Sequence, residues 1–203
     1  MKIKKVNIKQ LLKLNLLRSK VYEQPIKKMK FENLIDSTLN QIVLDIKKVL
    51  QIIFQYNRVG KRILFVGLPS KLELKINQYT KHVAVPKNFN AQGIISNPNL
   101  KSIQDSKNSN QIWLKSLSKF LLPKLAKRLD LVILFDHEKS KTIFSEAEAL
   151  KIPVVSFGTC LISQNTASYR IEGNFKNILT ASDKNIFFVG LNFLFKRSKS
   201  KFL

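Results

Sequence analysis

The sequence predicts an α/β fold, a doubly wound, Rossmann-like parallel sheet with helices on both faces and basic N- and C-terminal tails. Three apolar segments predict strands, at residues 63–66, 129–135 and 152–157, and helical patterns precede or separate them. The order strand, helix, strand favours parallel pairing, because a crossover helix returns the chain to the end of the sheet where it started. Right-handed crossovers then place helices on both faces.

A long amphipathic helix is predicted ahead of the first strand. From Leu34 to Phe54, apolar residues recur at steps of three and four, the spacing that places them on one side of a helix. Asp36 or Ser37 can accept a hydrogen bond from the free amides of the first turn. We therefore expect a helix with one buried apolar side.

The first strand leads through a turn into a second helix. Gly67-Leu68-Pro69-Ser70 closes the apolar run, and Ser70 is expected to cap a helix that extends to about Tyr79. A short strand follows at residues 82–85 and ends at Pro86. This segment therefore reads as strand, turn, helix and strand.

The second half of the chain alternates between polar connections and apolar elements. Residues 87–110 are rich in Asn, Ser, Gly, Lys and Pro and predict an exposed connection. Helices are predicted at about 112–127, bent at Pro123, and at 139–150, between the last two predicted strands. Residues 186–195 combine a strand-like composition with a helix-compatible spacing.

Positive charge dominates the composition and is unevenly distributed. Lys and Arg number 36 against 13 acids, a net charge of +23, which favours polyanionic partners. Residues 1–30 contribute +9 and residues 196–203 contribute +4, so we interpret them as basic extensions of a single domain at residues 31–195. Within that domain, residues 71–128 carry eleven basic residues and two acids, whereas residues 129–195 carry six and seven. One half of the fold is therefore expected to face the polyanion.

Nucleic acid is the partner class that this charge favours, and the tails are expected to stay disordered until phosphates neutralise them. The residues expected to contact RNA lie in the two extensions and in the basic half of the domain: Lys4, Lys5, Lys9, Lys13, Arg18, Lys20, Lys27, Lys28, Lys87, Lys101, Lys115, Lys119, Lys124, Lys127, Arg128, Lys196 and Arg197. For any single lysine, a solvated side chain is the simpler interpretation. That interpretation explains the total charge poorly.

Two glycine-containing turns invite comparison with phosphate-binding loops. Gly60-Lys61 and Gly67-Leu68-Pro69-Ser70-Lys71 each combine a glycine with a lysine, but neither has the Walker spacing or the G-x-G-x-x-G pattern. We interpret both as plain tight turns.

The most enzyme-like feature is Asp136-His137-Glu138, which follows a predicted strand at the edge where open α/β sheets bind ligands. The chain has only two histidines, and no nucleophile motif accompanies them. We interpret the cluster as a turn and helix start, Trp113 as a core residue and Cys160 as a buried side chain. The expectation is a protein without catalytic residues, metal, cofactor or small-molecule substrate.

The composition also bears on compartment. The longest apolar run, residues 186–195, is shorter than the roughly 18 to 20 residues that span a bilayer, so no membrane partner is expected. Lys outnumbers Arg 30 to 6, and Ile, Asn and Phe are abundant, as in proteins encoded by AT-rich genomes. We expect a mitochondrial protein, with a plastid or an AT-rich bacterium as alternatives. A removable presequence is the weaker interpretation of the basic N-terminus.

Five segments resemble one protein family in order and spacing. Leu34-Ile35-Asp36 resembles its I-I-D-L, Lys61 to Gly67 its K-I-L-F-V-G, and Gly93 to Asn97 the end of its W-L-G-G-x-L-T-N. Residues 129–136 with Glu138, Glu146-Ala147 and Leu150 to Val154 resemble its P-D-L-V-V-V-x-D-x-x-x-E, E-A and L-G-I-P-V, and Tyr169 to Asn174 its Y-P-I-P-G-N. The family is the universal second protein of the small ribosomal subunit, and the resemblance, to an organellar form, covers roughly residues 34–195.

The resemblance implies a parallel α/β domain on the solvent side of the small subunit, near the junction of head and body. Such a protein contacts ribosomal RNA and other small-subunit ribosomal proteins and performs no catalysis. The resemblance also favours a helix at residues 186–195. The chain departs from the family in the Arg-Trp missing before Gly93, in Gly158-Thr159-Cys160-Leu161 where the family has D-T-N-x-D-P, and in a shortened coiled-coil hairpin between Asn97 and Leu129.

Two other functions remain open on the residues alone. One is a nucleotide- or phosphate-binding enzyme of Rossmann-like fold, because a doubly wound sheet hosts many activities. The other is a free-standing RNA-binding factor. Stable association with a large particle distinguishes the ribosomal protein from both.

Overall fold

The sheet and its helices are described by a computed structural model over residues 8–18, 32–86, 95, 121, 124–125, 127–135, 140–158, 168–171 and 185–198. The strands are β1 Ile63–Val66, β2 Val83–Val85, β3 Leu131–Leu134, β4 Val154–Phe157 and β5 Tyr169–Ile171. The helices are α1 Ile8–Arg18, α2 Glu32–Val59, α3 Ser70–Tyr79, α4 Ser140–Ala149 and α5 Ile186–Ser198. The strands form one all-parallel sheet in the order β2-β1-β3-β4-β5, which confirms the predicted α/β class.

One face of the sheet is covered by α1, α2, α3 and α5. Successive side chains of a strand point to opposite faces, so Phe65 and Ile133 project to this side. They pack with Ile53 of α2 and Phe187 of α5, and all four side chains are buried. Burying a large apolar side chain contributes roughly 1.5 to 3 kcal/mol, so this layer supplies much of the folding free energy.

The other face is covered by α4. Leu64 and Val132 project to this side and pack with Ile143 and Ala147 of that helix. Because both faces are buried, β1, β3 and β4 are buried at every position, which explains why β1 and β3 are continuous apolar runs and why β4 is apolar except for Ser156. Helices on both faces are therefore confirmed.

The N-terminal extension does not behave as expected throughout. Residues 8–18 form α1, which packs against α2 and α5, so the expectation of a disordered tail is wrong for this stretch. Leu16 is only 1% exposed and joins the core, whereas Lys9 stays exposed. Leu11, Leu14 and Leu17 of the same helix are exposed, so α1 contributes only part of its apolar residues to the core.

Several boundaries differ from the predictions in an informative way. α3 has its predicted bounds, but Ser70 is its first helical residue and Pro69 is the N-cap, without a side-chain hydrogen bond. The amides of Leu72 and Glu73 donate to the carbonyl of Pro69 instead. Residues 186–195 are helical, as the resemblance favoured, and α5 continues into the predicted basic tail.

Some predicted elements cannot be compared with the structure. The exposed connection at 87–110 and the helix at 112–127 lie mainly outside the described residues. The strands predicted at 82–85, 129–135 and 152–157 are present but shorter. Strand β5 and helix α1 had no counterpart in the sequence analysis.

Two helices end in the same turn with different residues. At the end of α2, the Gly60 amide donates to the Asn57 carbonyl and the next amide reaches back five residues. Gly60 has a φ of 88°, in the left-handed region. At the end of α4, Lys151 occupies the equivalent position with a φ of 55°. This turn favours glycine, because a Cβ is strained there.

We predict that Lys151→Gly stabilises the protein by roughly 0.5 to 1 kcal/mol, since it removes the strain of a side chain in the left-handed region. The free energy of unfolding, measured in urea at pH 7, reports the change. Lys151→Ala is the control, because it removes the lysine side chain but keeps the Cβ. An equal gain for both substitutions would trace the effect to charge rather than to backbone strain.

Candidate nucleic-acid interface

The amino-terminal edge of the sheet concentrates basic residues. In a parallel sheet all strands begin at one edge, and neighbouring strands lie about 4.8 Å apart. The segments that precede β2, β1 and β3 are therefore adjacent, because these strands are neighbours in the sheet. They bring together six cationic residues that we call the amino-edge cluster: Lys61, Arg62, Lys81, Lys124, Lys127 and Arg128.

The acid within these segments is engaged with the backbone. The Arg62 amide donates to Asp130 Oδ2 over 2.9 Å, and the Asp130 amide donates to the Arg62 carbonyl over 3.0 Å. Asp130 thereby extends the pairing of β1 with β3 by one step. Lys81, Lys127 and Arg128 are exposed and form no salt bridge with a described residue. Their charge is directed to solvent.

His82 lies beneath this surface as a neutral, buried side chain. The Ile63 amide donates to His82 Nδ1 over 3.3 Å, so the ring proton resides on Nε2 and is donated to Asn57 Oδ1 over 3.0 Å. Burial, followed by the fields of three cations, lowers the pKa of His82 from 6.5 to about 4. Those cations are Lys81, Lys124 and Arg62, members of the amino-edge cluster. The imidazole therefore adds no positive charge to the edge at neutral pH.

Lys124 differs from the other members of the cluster. Its ammonium group donates hydrogen bonds to the carbonyls of Asn77 and of Thr80, the latter over 3.0 Å. These carbonyls lie at the C-terminus of α3, where backbone acceptors lack helical partners and a cation is favoured by the helix dipole. Burial and the nearby Arg62 lower the pKa of Lys124. Lys124 thus joins the segment that precedes β3 to α3.

Two further contacts arrange the cluster. Lys61 Nζ lies 5.0 Å from the centre of the Tyr56 ring, a cation–π distance. Lys81 Nζ lies so near Gly60 that a Cβ built there would approach it to 3.1 Å. A side chain at this position would displace the flexible Lys81 ammonium group by a few tenths of an ångström.

A side chain forms hydrogen bonds with the backbone of the neighbouring outer strand, β2. Asn77 Nδ2 donates to the Ala84 carbonyl over 2.7 Å, and the Ala84 amide donates to Asn77 Oδ1 over 2.8 Å. Ala84 lies on β2, an outer strand of the sheet, so Asn77 takes the place of a further strand at this position. These two bonds fix α3, and the sequence pattern contained no signal for them.

The structure places the predicted RNA-contacting residues in three groups. Lys124, Lys127 and Arg128 belong to the amino-edge cluster. Within it, the Lys124 ammonium group donates to helix carbonyls and is not directed to solvent. Lys9, Lys13 and Arg18 lie on α1, and Lys196 and Arg197 lie on α5. The others lie outside the described residues: Lys4, Lys5, Lys20, Lys27, Lys28, Lys87, Lys101, Lys115 and Lys119. The sequence analysis did not select Lys61, Arg62 or Lys81, which no obvious motif links.

The opposite edge holds the crevice where doubly wound folds bind ligands, between the ends of β1 and β3. Gly67 lies here with a φ of 82°, and its amide donates to the Val85 carbonyl, which continues the pairing of β1 with β2 by one residue. Asp136-His137-Glu138 lies outside the described residues. Glu73, in the first turn of α3, is 7% exposed, and burial raises its pKa from 4.5 to about 7.

No group of three or more potential metal-ligating side chains occurs among the described residues. None of the described helices has the length and apolar character needed to cross a bilayer.

No protein-family model matches the chain, and no curated protein matches it.

Protonation of His82 should make the protein less stable in acid. The folded-state pKa of about 4 lies below the unfolded value of 6.5, so the unfolded chain takes up a proton first as the pH falls. We predict that the free energy of unfolding declines between pH 6.5 and pH 4 by at most about 3 kcal/mol from this group. Urea unfolding across this range should show a smaller decline in His82→Gln, and an unchanged decline would assign the effect to other groups.

Glu73 should act in the opposite direction. Its folded-state pKa of about 7 lies above the unfolded value of 4.5, so the folded state binds this proton more tightly than the unfolded chain does. The stability that this difference contributes is present below pH 4.5 and is lost as the pH rises from 4.5 through 7. We predict that Glu73→Gln increases the free energy of unfolding at pH 8 more than at pH 5. Glu148→Gln, at an exposed position of α4, serves as a control. A gain that is equal at both pH values would contradict the prediction.

Proposed function

We propose that this protein is a structural constituent of the small ribosomal subunit that binds ribosomal RNA and neighbouring proteins and supports translation in a mitochondrion. The amino-edge cluster carries this proposal. Six cationic residues meet there around one acid, and that acid accepts a backbone hydrogen bond. Gathering like charges destabilises an isolated fold, whereas a polyanion that binds them releases its counterions and gains affinity.

The distribution of charge over the whole chain supports the same partner. The net charge is +23, and the described part of the edge shares one sign with the extensions at both ends. Phosphate contacts of this kind position a protein on RNA without reading its sequence. A rigid sheet with basic attachments suits a protein that holds folded RNA in place.

The ordered resemblance to the universal second protein of the small subunit narrows the proposal to the ribosome. The all-parallel sheet is the fold that this resemblance implies, although other families share such a fold. The segments that carry the resemblance include β1, β3 and β4. Within this proposal, the protein acts through contacts and performs no reaction.

A second candidate, a phosphate- or nucleotide-binding enzyme, is favoured by Glu73. Its buried carboxyl group has a raised pKa and lies in the first turn of α3, which follows the carboxyl end of β1, and such groups are a feature of catalytic sites. Against this candidate, the Gly67 amide is bonded to the Val85 carbonyl and does not face the crevice as a phosphate donor. Structural carboxyl groups also acquire raised pKa values by burial alone.

Sedimentation tests the proposal. The full chain, detected in a lysate of its source cells or organelles, should travel with the small subunit through a sucrose gradient containing magnesium at low salt. After magnesium is chelated and the particles unfold, the protein should move towards the top together with released proteins.

A protein that remains with free proteins under both conditions would exclude the ribosomal function. Co-sedimentation with a smaller RNA-containing complex would instead support the free-standing RNA-binding factor. Raising the salt to about 0.5 M separates loosely attached cationic proteins from integral ones, because electrostatic affinity falls steeply with salt.

A further inference from the structure

We propose that the amino-terminal edge of the sheet binds the phosphate backbone of an RNA duplex through Lys81, Lys127 and Arg128, on a surface that Lys124 holds in position. This inference rests on the proposed function and assigns its site within the domain. It also distinguishes the basic residues that contact phosphate from Lys124, which positions them.

The three contact residues share an exposed position at neighbouring strand starts. Lys81 directly precedes the segment of β2, while Lys127 and Arg128 precede β3. Strand β1 lies between β2 and β3, so the starts of these two strands are two strand spacings, or about 10 Å, apart. That separation allows contact with more than one phosphate of a duplex.

Lys124 performs a different task although it lies three residues before Lys127. The Lys124 ammonium group is held by two carbonyls of the α3 terminus, and the Lys124 carbonyl accepts a hydrogen bond from Arg62 Nη1 over 3.4 Å. Lys124 thus ties the start of the β3 segment to both α3 and β1. Its charge neutralises a helix terminus, and its position determines where Lys127 and Arg128 lie.

The chemistry of the edge favours phosphates over unstacked bases. Recognition of single strands relies on aromatic faces, on which bases stack. Tyr56 has its ring face occupied by Lys61, and His82 is fully buried. Tyr79, at the end of α3, is the exposed aromatic side chain that the structure describes next to this edge. A surface dominated by exposed cations therefore matches a duplex backbone better.

The test compares two triple variants of the full chain that lose the same charge. Lys81→Gln/Lys127→Gln/Arg128→Gln removes the proposed contacts. Lys47→Gln/Lys71→Gln/Lys75→Gln removes three exposed lysines of α2 and α3 that lie away from this edge. The probe is a fluorescent RNA duplex of 20 base pairs, with a single strand of equal length in parallel. Binding is measured across a series of salt concentrations.

The edge variant should bind the duplex at least about tenfold more weakly at 0.1 M salt, and its salt slope should fall by up to about 2.7, or 0.9 for each lost contact. The control variant should lose less than about threefold and keep most of its slope. Equal losses in the two variants would overturn the proposal and leave a diffuse polycation. A larger loss on the single strand than on the duplex would also overturn it.

Lys124→Met tests the positioning role with the RNA-free protein. Because Lys124 holds α3 through its carbonyls, the substitution should lower the urea midpoint of unfolding, and Lys124→Arg should restore it. A phosphate contact would behave differently, with a salt slope lower by about 0.9 and an unchanged midpoint. That result would overturn the assignment of Lys124.

Different outcomes would reject the proposed site and the proposed function. Wild-type protein that travels with the small subunit, together with an edge variant that does so equally well at every salt concentration, would reject the site and leave the function standing. Wild-type protein that never joins the particle would reject the function.

Discussion

The sheet is buried on both faces, and this constraint organises the rest of the molecule. A parallel sheet needs a helical layer on each side, so every position of β1, β3 and β4 is buried, and all of them except Ser156 are apolar. Charged residues are thereby absent from these strands and occur next to their ends. Parallel pairing then gathers all strand starts at one edge. The convergence of Arg62, Lys81 and Arg128 follows from the way the core is built.

Concentrating cations at one edge requires that the groups beneath them remain uncharged or bonded. His82 satisfies this condition because both ring nitrogens are hydrogen-bonded in the neutral form, one to the Ile63 amide and one to Asn57. Asp130 satisfies it by accepting the Arg62 amide. Neither group competes with an external anion for the exposed cations. The structure thus separates a buried, neutral support from a charged outer surface, an arrangement that suits binding to a polyanion.

In the layer formed by α1, α2, α3 and α5, contacts between segments distant in the sequence decide which residues are buried. A Lys-rich N-terminal segment has too much charge to form a core of its own, yet Leu16 finds a place against helices that are distant in sequence. On α2, Asp45 is buried and accepts a 2.7 Å hydrogen bond from the hydroxyl of Tyr169 on β5. Burial of Tyr169 and the neighbouring Asp45 carboxylate raise the pKa of this hydroxyl from 10.0 to about 12. Such contacts join the first and last parts of the chain. They depend on partners more than 100 residues apart.

The sequence by itself determined the α/β class, the strand β1, the bounds of α3 and the general preference for a polyanion, because hydrophobic period, turn residues and net charge are local or additive properties. Only the tertiary structure decided that residues 8–18 pack, that Ser70 does not act as the cap, and that Lys124 serves the α3 carbonyls rather than solvent. It also brought Lys61, Arg62 and Lys81 beside Lys127 and Arg128. These outcomes depend on strand order and on which buried group needs a hydrogen-bond partner, and neither is encoded in the spacing of neighbouring residues.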